Sequence, residues 1–389
     1  MAWRFEQDTT GTPRVLLVSQ RALSPYPSRS LRFDFEDRVR EFDGVDLVAA
    51  DRPTLPSARL RRVAAHFEGL IPDAPQPFAR GRPRLAPRYE LALVTAEALH
   101  DLLMMQPLRW LLGKARSSAC FVDEVWLKGL RDRTGELRLF RAFDHIFLGT
   151  AGAVEEMAAL TGRPCTYVPP SVDALSLCPW PDPPPRTIDV YSMGRRSAKT
   201  HEALLAFAER NGWFYLYDTT TASGAPSHFE HRRLLGSLLK RSRFLIAYPG
   251  KIDLPEQTGG QQEVGFRYFE GAAAGALLMG AEPNTAVFQR LFDWPDAVFP
   301  LSWDSTEVAP VLSAVHAQPE RAEQARRRNV AESLLRHDHV YRWREILAAI
   351  GLPETEGMVQ RRGQLLERAE LVRGLDGGGI GLHTRPDAS

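Results

Sequence analysis

Three cysteines, almost no net charge and no long apolar run exclude several kinds of protein for this chain. Cys120, Cys165 and Cys178 are odd in number and lack CxxC spacing, so they fit neither a disulfide framework nor a zinc knuckle and read as structural thiols. Lys+Arg of 49 against Asp+Glu of 48 leaves a formal net charge of +1, too little to gather a polyanion over the whole surface. No nucleic-acid partner is therefore expected. Only five of the basic residues are lysines, a skew that codon usage in a GC-rich genome explains without a role for arginine. No window of about 18 apolar residues can cross a bilayer, and the N-terminal MAWRFEQD lacks the basic-then-apolar layout of a signal peptide. The expectation is a cytoplasmic protein with no transmembrane segment.

Missing motifs remove several chemistries. Residues 15–23 contain no glycine, so the first strand is not followed by the GxGxxG turn of a nicotinamide dehydrogenase. There is no GxxxxGK[ST] loop, no HExxH and no strand-end DxD, and no metal site is expected. The remaining composition, 44% hydrophobic and 25% charged, is that of an ordinary globular protein. At roughly 100–200 residues per domain, the length suggests two to three domains.

Short apolar runs alternate with segments of helical spacing, the pattern of strands and crossover helices in an α/β protein. In the first half, strands are predicted at 14–20, 45–50, 89–95, 119–123, 145–150 and 166–168. Helices are predicted near 33–43, 60–70, 96–113, 129–142 and 152–161. Residues 71–88 carry five prolines and four arginines and read as a surface loop. Five prolines within 178–186 (CPWPDPPPR) forbid a helix interior or central strand and mark a linker. The alternation then restarts, with strands at 187–192, 213–218, 243–248 and 276–279 and helices at 198–211, 228–241 and 266–275. Two parallel α/β domains would leave a cleft at the carboxyl ends of their strands, where open sheets bind ligands.

The most informative stretch is 259–280, GGQQEVGFRYFEGAAAGALLMG. A glycine-containing loop feeding a helix N-terminus offers unpaired N–H groups and the positive end of the helix dipole to a phosphate or diphosphate. Glu270, about a turn inside, can accept hydrogen bonds from a sugar diol. Gly265, Phe269, Glu270, Ala274, Gly275 and the strand 276–279 resemble the donor-site signature of GT-B glycosyltransferases of the group-1 type, related to the spore-maturation-protein-like glycosyltransferases. The resemblance implies that Glu270 binds the ribose of a nucleotide sugar and that the preceding loop, with Gly265, meets the diphosphate. It also covers 188–199 (IDVYSMGRRSAK), similar to the family's strand-Gly-Arg…Lys element. There Arg195 is the implied diphosphate ligand, with Arg196 and Lys199 competing for the second place. Residues 167–173 (YVPPSVD) resemble the turn that closes such N-terminal domains, with Ser171 where glycine is usual and Asp173 structural. Residues 342–350 suit a terminal helix that crosses back to the first domain.

Retaining members of related families carry two acids separated by seven positions. Counted back from Glu270, the first falls on Gln262, with Glu263 one place later. Either Glu263 takes that role through a shifted loop or the first acid is not used. In the first half, 118–127 (SACFVDEVWL) is a strand ending in two acids, and Asp123 and Glu124 are candidate general bases for an acceptor hydroxyl. His100 could do the same work within a helical run. His145, opening a strand, reads as structural, and Arg80, Arg82, Arg84 and Arg88 as a solvated loop.

The resulting expectation is an α/β protein of GT-B type, two Rossmann-like domains facing across a cleft with a C-terminal crossover helix. The predicted parts are an acceptor domain at 1–177, the linker at 178–186, a donor domain at 187–335, helices packing back at 336–375 and a flexible tail at 376–389. The implied reaction moves a sugar from a nucleoside diphosphate sugar, as co-substrate with no other cofactor, to an acceptor hydroxyl without a metal. The acceptor could be a saccharide, a natural product or a cell-envelope precursor. The rivals are a non-catalytic nucleotide-sugar-binding or assembly protein, or an epimerase or hydrolase of nucleotide sugars on the same fold.

Overall fold

The computed structural model of the chain describes residues 3–8, 12–21, 29–50, 85–102, 106–218 and 227–374. Its first half contains strands β1 (Trp3–Glu6), β2 (Val15–Ser19), β3 (Val45–Ala50), β4 (Tyr89–Ala98), β5 (Ala115–Glu124), β6 (His145–Leu148) and β7 (Cys165–Tyr167). Helices α1 (Ser30–Phe42), α2 (Thr134–Phe140) and α3 (Val154–Thr161) connect or cover them. The seven strands are ordered β1-β3-β2-β4-β5-β6-β7, parallel except for the edge strand β1. All five residues of β2 (VLLVS) are buried, as expected of a parallel strand covered on both faces.

The pattern at 96–113 folds differently from the helix expected there. β4 runs on to Ala98, because its pairing with β5 continues through Ala96 opposite Val122 and Ala98 opposite Glu124. A turn at 99–100, helical residues Asp101 and Leu102, and a 3-10 segment, Gln106–Lys114, follow. The predicted helix at 60–70, loop residues Arg80, Arg82 and Arg84, and the tail at 376–389 lie outside the described residues.

After the short helix α4 (Ala174–Leu177), the proline-rich 178–186 has neither helix nor strand. The second half contains β8 (Ile188–Met193), α5 (Ala198–Asn211), β9 (Tyr215–Asp218), α6 (His228–Lys240), β10 (Ser242–Ala247), α7 (Pro255–Thr258), α8 (Phe266–Ala273), β11 (Leu277–Gly280), α9 (Ala286–Leu291) and β12 (Phe299–Pro300). Its five parallel strands are ordered β12-β11-β10-β8-β9. Local chemistry sets the helix starts: the Ser197 and Ser227 side chains accept from the Thr200 and Glu230 amides, capping α5 and α6.

Among the described residues four helices follow: α10 (Val308–His316), α11 (Pro319–Arg336), α12 (His339–Ala349) and α13 (Glu356–Gly374). The last two cross back to the first half. Val172 and Asp338 form an isolated parallel bridge, with Val172 N donating to His337 O and His339 N to Val172 O. Arg361 on α13 pairs with both Asp173 (2.6 Å) and Asp338 (2.7 Å). One buried apolar cluster runs without a break from Leu17 and Phe35 through Trp343 to Phe269 and Leu245, so the two sheets share a core through α12. This is the arrangement expected from the sequence, two largely parallel α/β layers with helices returning to the first.

Trp343 is the hinge pin of that return. It is fully buried, packs edge-on to Phe35 at 6.4 Å, and donates from Nε1 to Asp43 (2.7 Å). Trp343→Ala should cost about 3–5 kcal/mol, read as a lower denaturant midpoint. Trp343→Phe should cost only about 1 kcal/mol, because Asp43 keeps its paired bonds from Arg14 at 2.7 and 2.8 Å.

Candidate active site

Both sheets present their carboxyl ends to one cleft of about 540 Å³. From the first half it is lined by the segments after β4, β5 and β6, and from the second by those after β8 and β10 together with the loop before α8. In each sheet the chain switches direction next to the cleft, between β2 and β4 and between β8 and β10, where α/β sheets place ligands. Of the residues singled out by sequence, Asp123, Glu124, His100, Arg195, Glu263 and Gly265 line this cleft.

The two candidate bases arrive already partnered. Asp123 is clamped by the Arg32 guanidinium, which lies over the Phe121 ring at 3.6 Å from its centroid. Glu124 pairs with Lys251 from the opposite wall (2.6 Å) and accepts from Trp126 Nε1 (3.3 Å). His100 sits in the turn after β4 rather than in a helix, with its side chain 46% exposed and 3.5 Å from Asp101. His145 is structural, as expected: it stacks on Phe147 and bonds Thr166, and burial lowers its pKa.

Glycine is required at two points of the cleft. A Cβ on Gly149 would lie 2.5 Å from Asp123 O, and one on Gly265 would lie 2.9 Å from Tyr248 O. Gly265 thus lets the loop before α8 press against the end of β10. That loop also crosses to the first half. Glu263 accepts from the amides of Ala151 (2.9 Å) and Gly152 (2.8 Å) and from Gln261 Nε2 (2.7 Å). Gln261 Oε1 accepts from Leu127 N at 2.9 Å. Of the two positions open for a first acid, it is Glu263 that faces the cleft. Gln262 turns away and accepts from Asn284 N at 2.8 Å.

Three expected donor ligands stand elsewhere. Arg196 packs over Tyr217 at 5.0 Å, and Lys199 is exposed in the first turn of α5; neither lines the cleft. Glu270 is only 1% exposed and also does not line it. Its two oxygens are taken by Arg232 of α6 and Arg267 of α8. The physical reason is the depth of α8, whose residues 268–273 are all buried, so a carboxylate there needs buried cationic partners. Burial alone would raise the Glu270 pKa, but Arg267 and Arg232 together hold it below its ordinary value.

Two cleft cations were not picked out from the sequence. Arg267, in the first turn of α8, lines the cleft with its side chain 27% exposed. Lys251 follows β10 in a loop read only as a connection. Arg195, half exposed, is tied to that same loop through Asp253 at 3.1 Å. Arg195, Lys251 and Arg267 give the second-half wall a cationic face, opposite the acids at the end of β5.

The match to a known family falls on the same half. Residues 225–348 match the model of a family described as glycosyl transferase-like. The second half therefore carries a glycosyl transferase-like domain. This domain includes α6, β10, the glycine loop and α8, and so supplies Arg232, Lys251, Glu263, Arg267 and Glu270. Among solved structures the chain is similar to Anabaena Alr3699/HepE in complex with UDP-glucose, at 11% identity over 87% of this chain and 99% of that one (TM-score 0.49). It is also similar to the glycosylation-associated protein (Gap123) complex of Streptococcus agalactiae, at 14% identity over 74% of this chain and 55% of that one (TM-score 0.33). A third similar structure is that of accessory secretory proteins 1, 2 and 3 in Streptococcus pneumoniae, at 12% over 73% and 54% (TM-score 0.32). No curated protein matches the sequence.

Glu270→Ala would leave Arg232 and Arg267 facing an empty site, and should destabilise the fold by about 3 kcal/mol, seen as a lower melting temperature. Because the folded-state pKa of Glu270 lies below 4.5, its contribution is complete above that value and is lost as pH falls through the folded value. Stability of the wild type should therefore fall more steeply with acid than that of Glu270→Gln, measured by denaturant titration across the acid range.

Proposed function

We propose that this protein is a glycosyltransferase that moves a sugar from a nucleoside diphosphate sugar to an acceptor hydroxyl, with the donor held by the second half and the acceptor by the first. The observation that carries the reading is the division of charge across one cleft. Arg195, Lys251 and Arg267 line the second-half wall, the last two within the glycosyl transferase-like domain, and Asp123 and Glu124 stand at the end of β5 opposite. Transfer from such a donor leaves a diphosphate, and preorganised positive groups stabilise the charge that develops on it. Arg195 and Arg267 take that task in this reading, so that no metal is needed for it, and the amides at the start of α8 add hydrogen bonds. Glu270 acts through Arg267, holding its guanidinium at the cleft rather than meeting the ribose itself. Glu263 orders the glycine loop against the first half, and Glu124 is the carboxylate available to an acceptor hydroxyl.

In domain terms, residues 1–177 form the acceptor part, 187–335 the donor part and 336–375 the return. A cytoplasmic setting agrees with three unpaired thiols, two of them buried.

The test is a thermal-shift panel of nucleoside diphosphates and nucleotide sugars, followed by acceptor screening with the best donor. A ligand at about 100 times its dissociation constant should add about 2.7 kcal/mol of stability. Arg195→Ala, which removes an exposed pair with Asp253, should keep its melting temperature and bind the diphosphate about tenfold more weakly. Acceptor-dependent release of nucleoside diphosphate supports transfer. Release without acceptor points to hydrolysis, and binding without turnover to a non-catalytic role.

A further inference from the structure

One pair in the cleft joins its two walls directly. Lys251 Nζ lies 2.6 Å from Glu124 Oε2 and 5.2 Å from the centroid of the Trp126 ring, and Trp126 Nε1 donates to the same carboxylate oxygen. Lys251 also has a backbone φ of 53°, and among the described residues only it and Asp296 are non-glycine residues with positive φ. Such a conformation persists only where the surroundings impose it, and it concentrates at ligand clamps. Here the turn is pinned on three sides. Leu254 N donates to Lys251 O (2.9 Å), Ile252 N to Pro249 O (3.3 Å), and Gly250 N to Glu263 O (3.1 Å). The same loop holds Arg195 through Asp253. An ammonium is thus fixed in the cleft beside a second cation, with a carboxylate from the opposite wall as its partner.

We propose that Lys251 is a diphosphate-binding residue and that Glu124 is its resting partner, displaced when a donor arrives. The inference rests on the donor reading above and deepens it, because it links occupation of the donor site to release of the carboxylate that faces the acceptor. The exchange is physically easy. The two side chains are 24% and 35% exposed, and an ion pair so open to water contributes little. A diphosphate offers more charge and several acceptor oxygens to the same ammonium, with Arg195 close enough to share the loop. While the cleft is empty, Glu124 is occupied by Lys251 and Trp126 and is not open to an acceptor hydroxyl. Donor binding frees it.

The exchange predicts an effect of unusual sign, that removing a carboxylate's charge on one domain tightens binding on the other. The experiment is calorimetric titration of the full chain with UDP, GDP, ADP and CDP, and with the matching nucleosides, for the wild type, Glu124→Gln, Lys251→Ala and the double variant. Glu124→Gln should bind the preferred diphosphate about two- to fivefold more tightly, and Lys251→Ala about three- to tenfold more weakly. The double variant should match Lys251→Ala, because the gain exists only through the freed ammonium. Nucleosides without phosphate should not distinguish the four proteins. Both side chains are partly exposed and alanine keeps the Cβ at 251, so unchanged melting temperatures serve as the folding control. Unchanged or weaker binding by Glu124→Gln overturns the exchange, as does a gain that survives in the double variant, which would reflect field effects alone. If the wild type binds none of the four diphosphates, the donor reading fails and this inference fails with it.

Discussion

The orientation of the two halves depends on a line of buried charge between them. Glu270 on α8 holds Arg232 on α6, and Arg232 Nε lies 3.5 Å from Asp34 on α1. Asp34 in turn is 3.3 Å from His339 on α12, whose other ring nitrogen bonds Ser171 at 2.8 Å. Four helices, α8, α6, α1 and α12, and the segment before α4 thus meet in one connected set. Such a set tolerates little displacement, because each buried charge that loses its partner costs several kcal/mol. Apolar packing between Phe35, Trp343 and Phe269 would allow some sliding by itself. The charged line sets the register in which the carboxyl ends of both sheets face the same cleft.

The cleft inherits its polarity from that register. Glu270 anchors the buried stretch of α8, and one turn earlier the same helix puts Arg267 where it reaches both Glu270 and the cleft. The buried line and the open site therefore share a residue. A change in what Arg267 binds at the cleft alters what remains for Glu270, and through Arg232 what faces Asp34 on the first half. In the proposed reaction, closure of the halves on a bound donor would act on these same charges.

Most of the strands and crossover helices were legible in the sequence because parallel strands buried on both faces read as continuous apolar runs. β2, β3, β10 and β11 fall where VLLVS, VDLVAA, SRFLIA and LLMG stand. The failures have physical causes. TAEALH at 95–100 has helical spacing, but its first residues stay in the sheet because β5 is long enough to pair with them. β1 and β12 are four and two residues long, too short for a period to emerge, and they exist through their partners β3 and β11. At the site, the glycine loop and the acids ending β5 were visible as local patterns. Lys251 and Arg267 were not, because a single cation in a loop or a helix turn carries no signal until the residues opposite it are known.

Glu270 shows how far a motif can lead. Its position in a glycine-rich stretch before a small-residue helix and a strand marks the functional region, and the region is indeed where the cleft forms. The role of its carboxylate depends on residues 38 and 236 positions away, Arg232 and Asp34, which no local spacing brings into view. The same limit applies to the two acids of β5, where neighbouring positions receive opposite treatment. Asp123 is fixed by an arginine of its own half, whereas the ion partner of Glu124 is a lysine from across the cleft. An intradomain clamp stays closed whether or not the cleft is occupied. A cross-cleft pair is sensitive to whatever enters between its partners, which makes Glu124 the acid of the two whose availability a ligand can control.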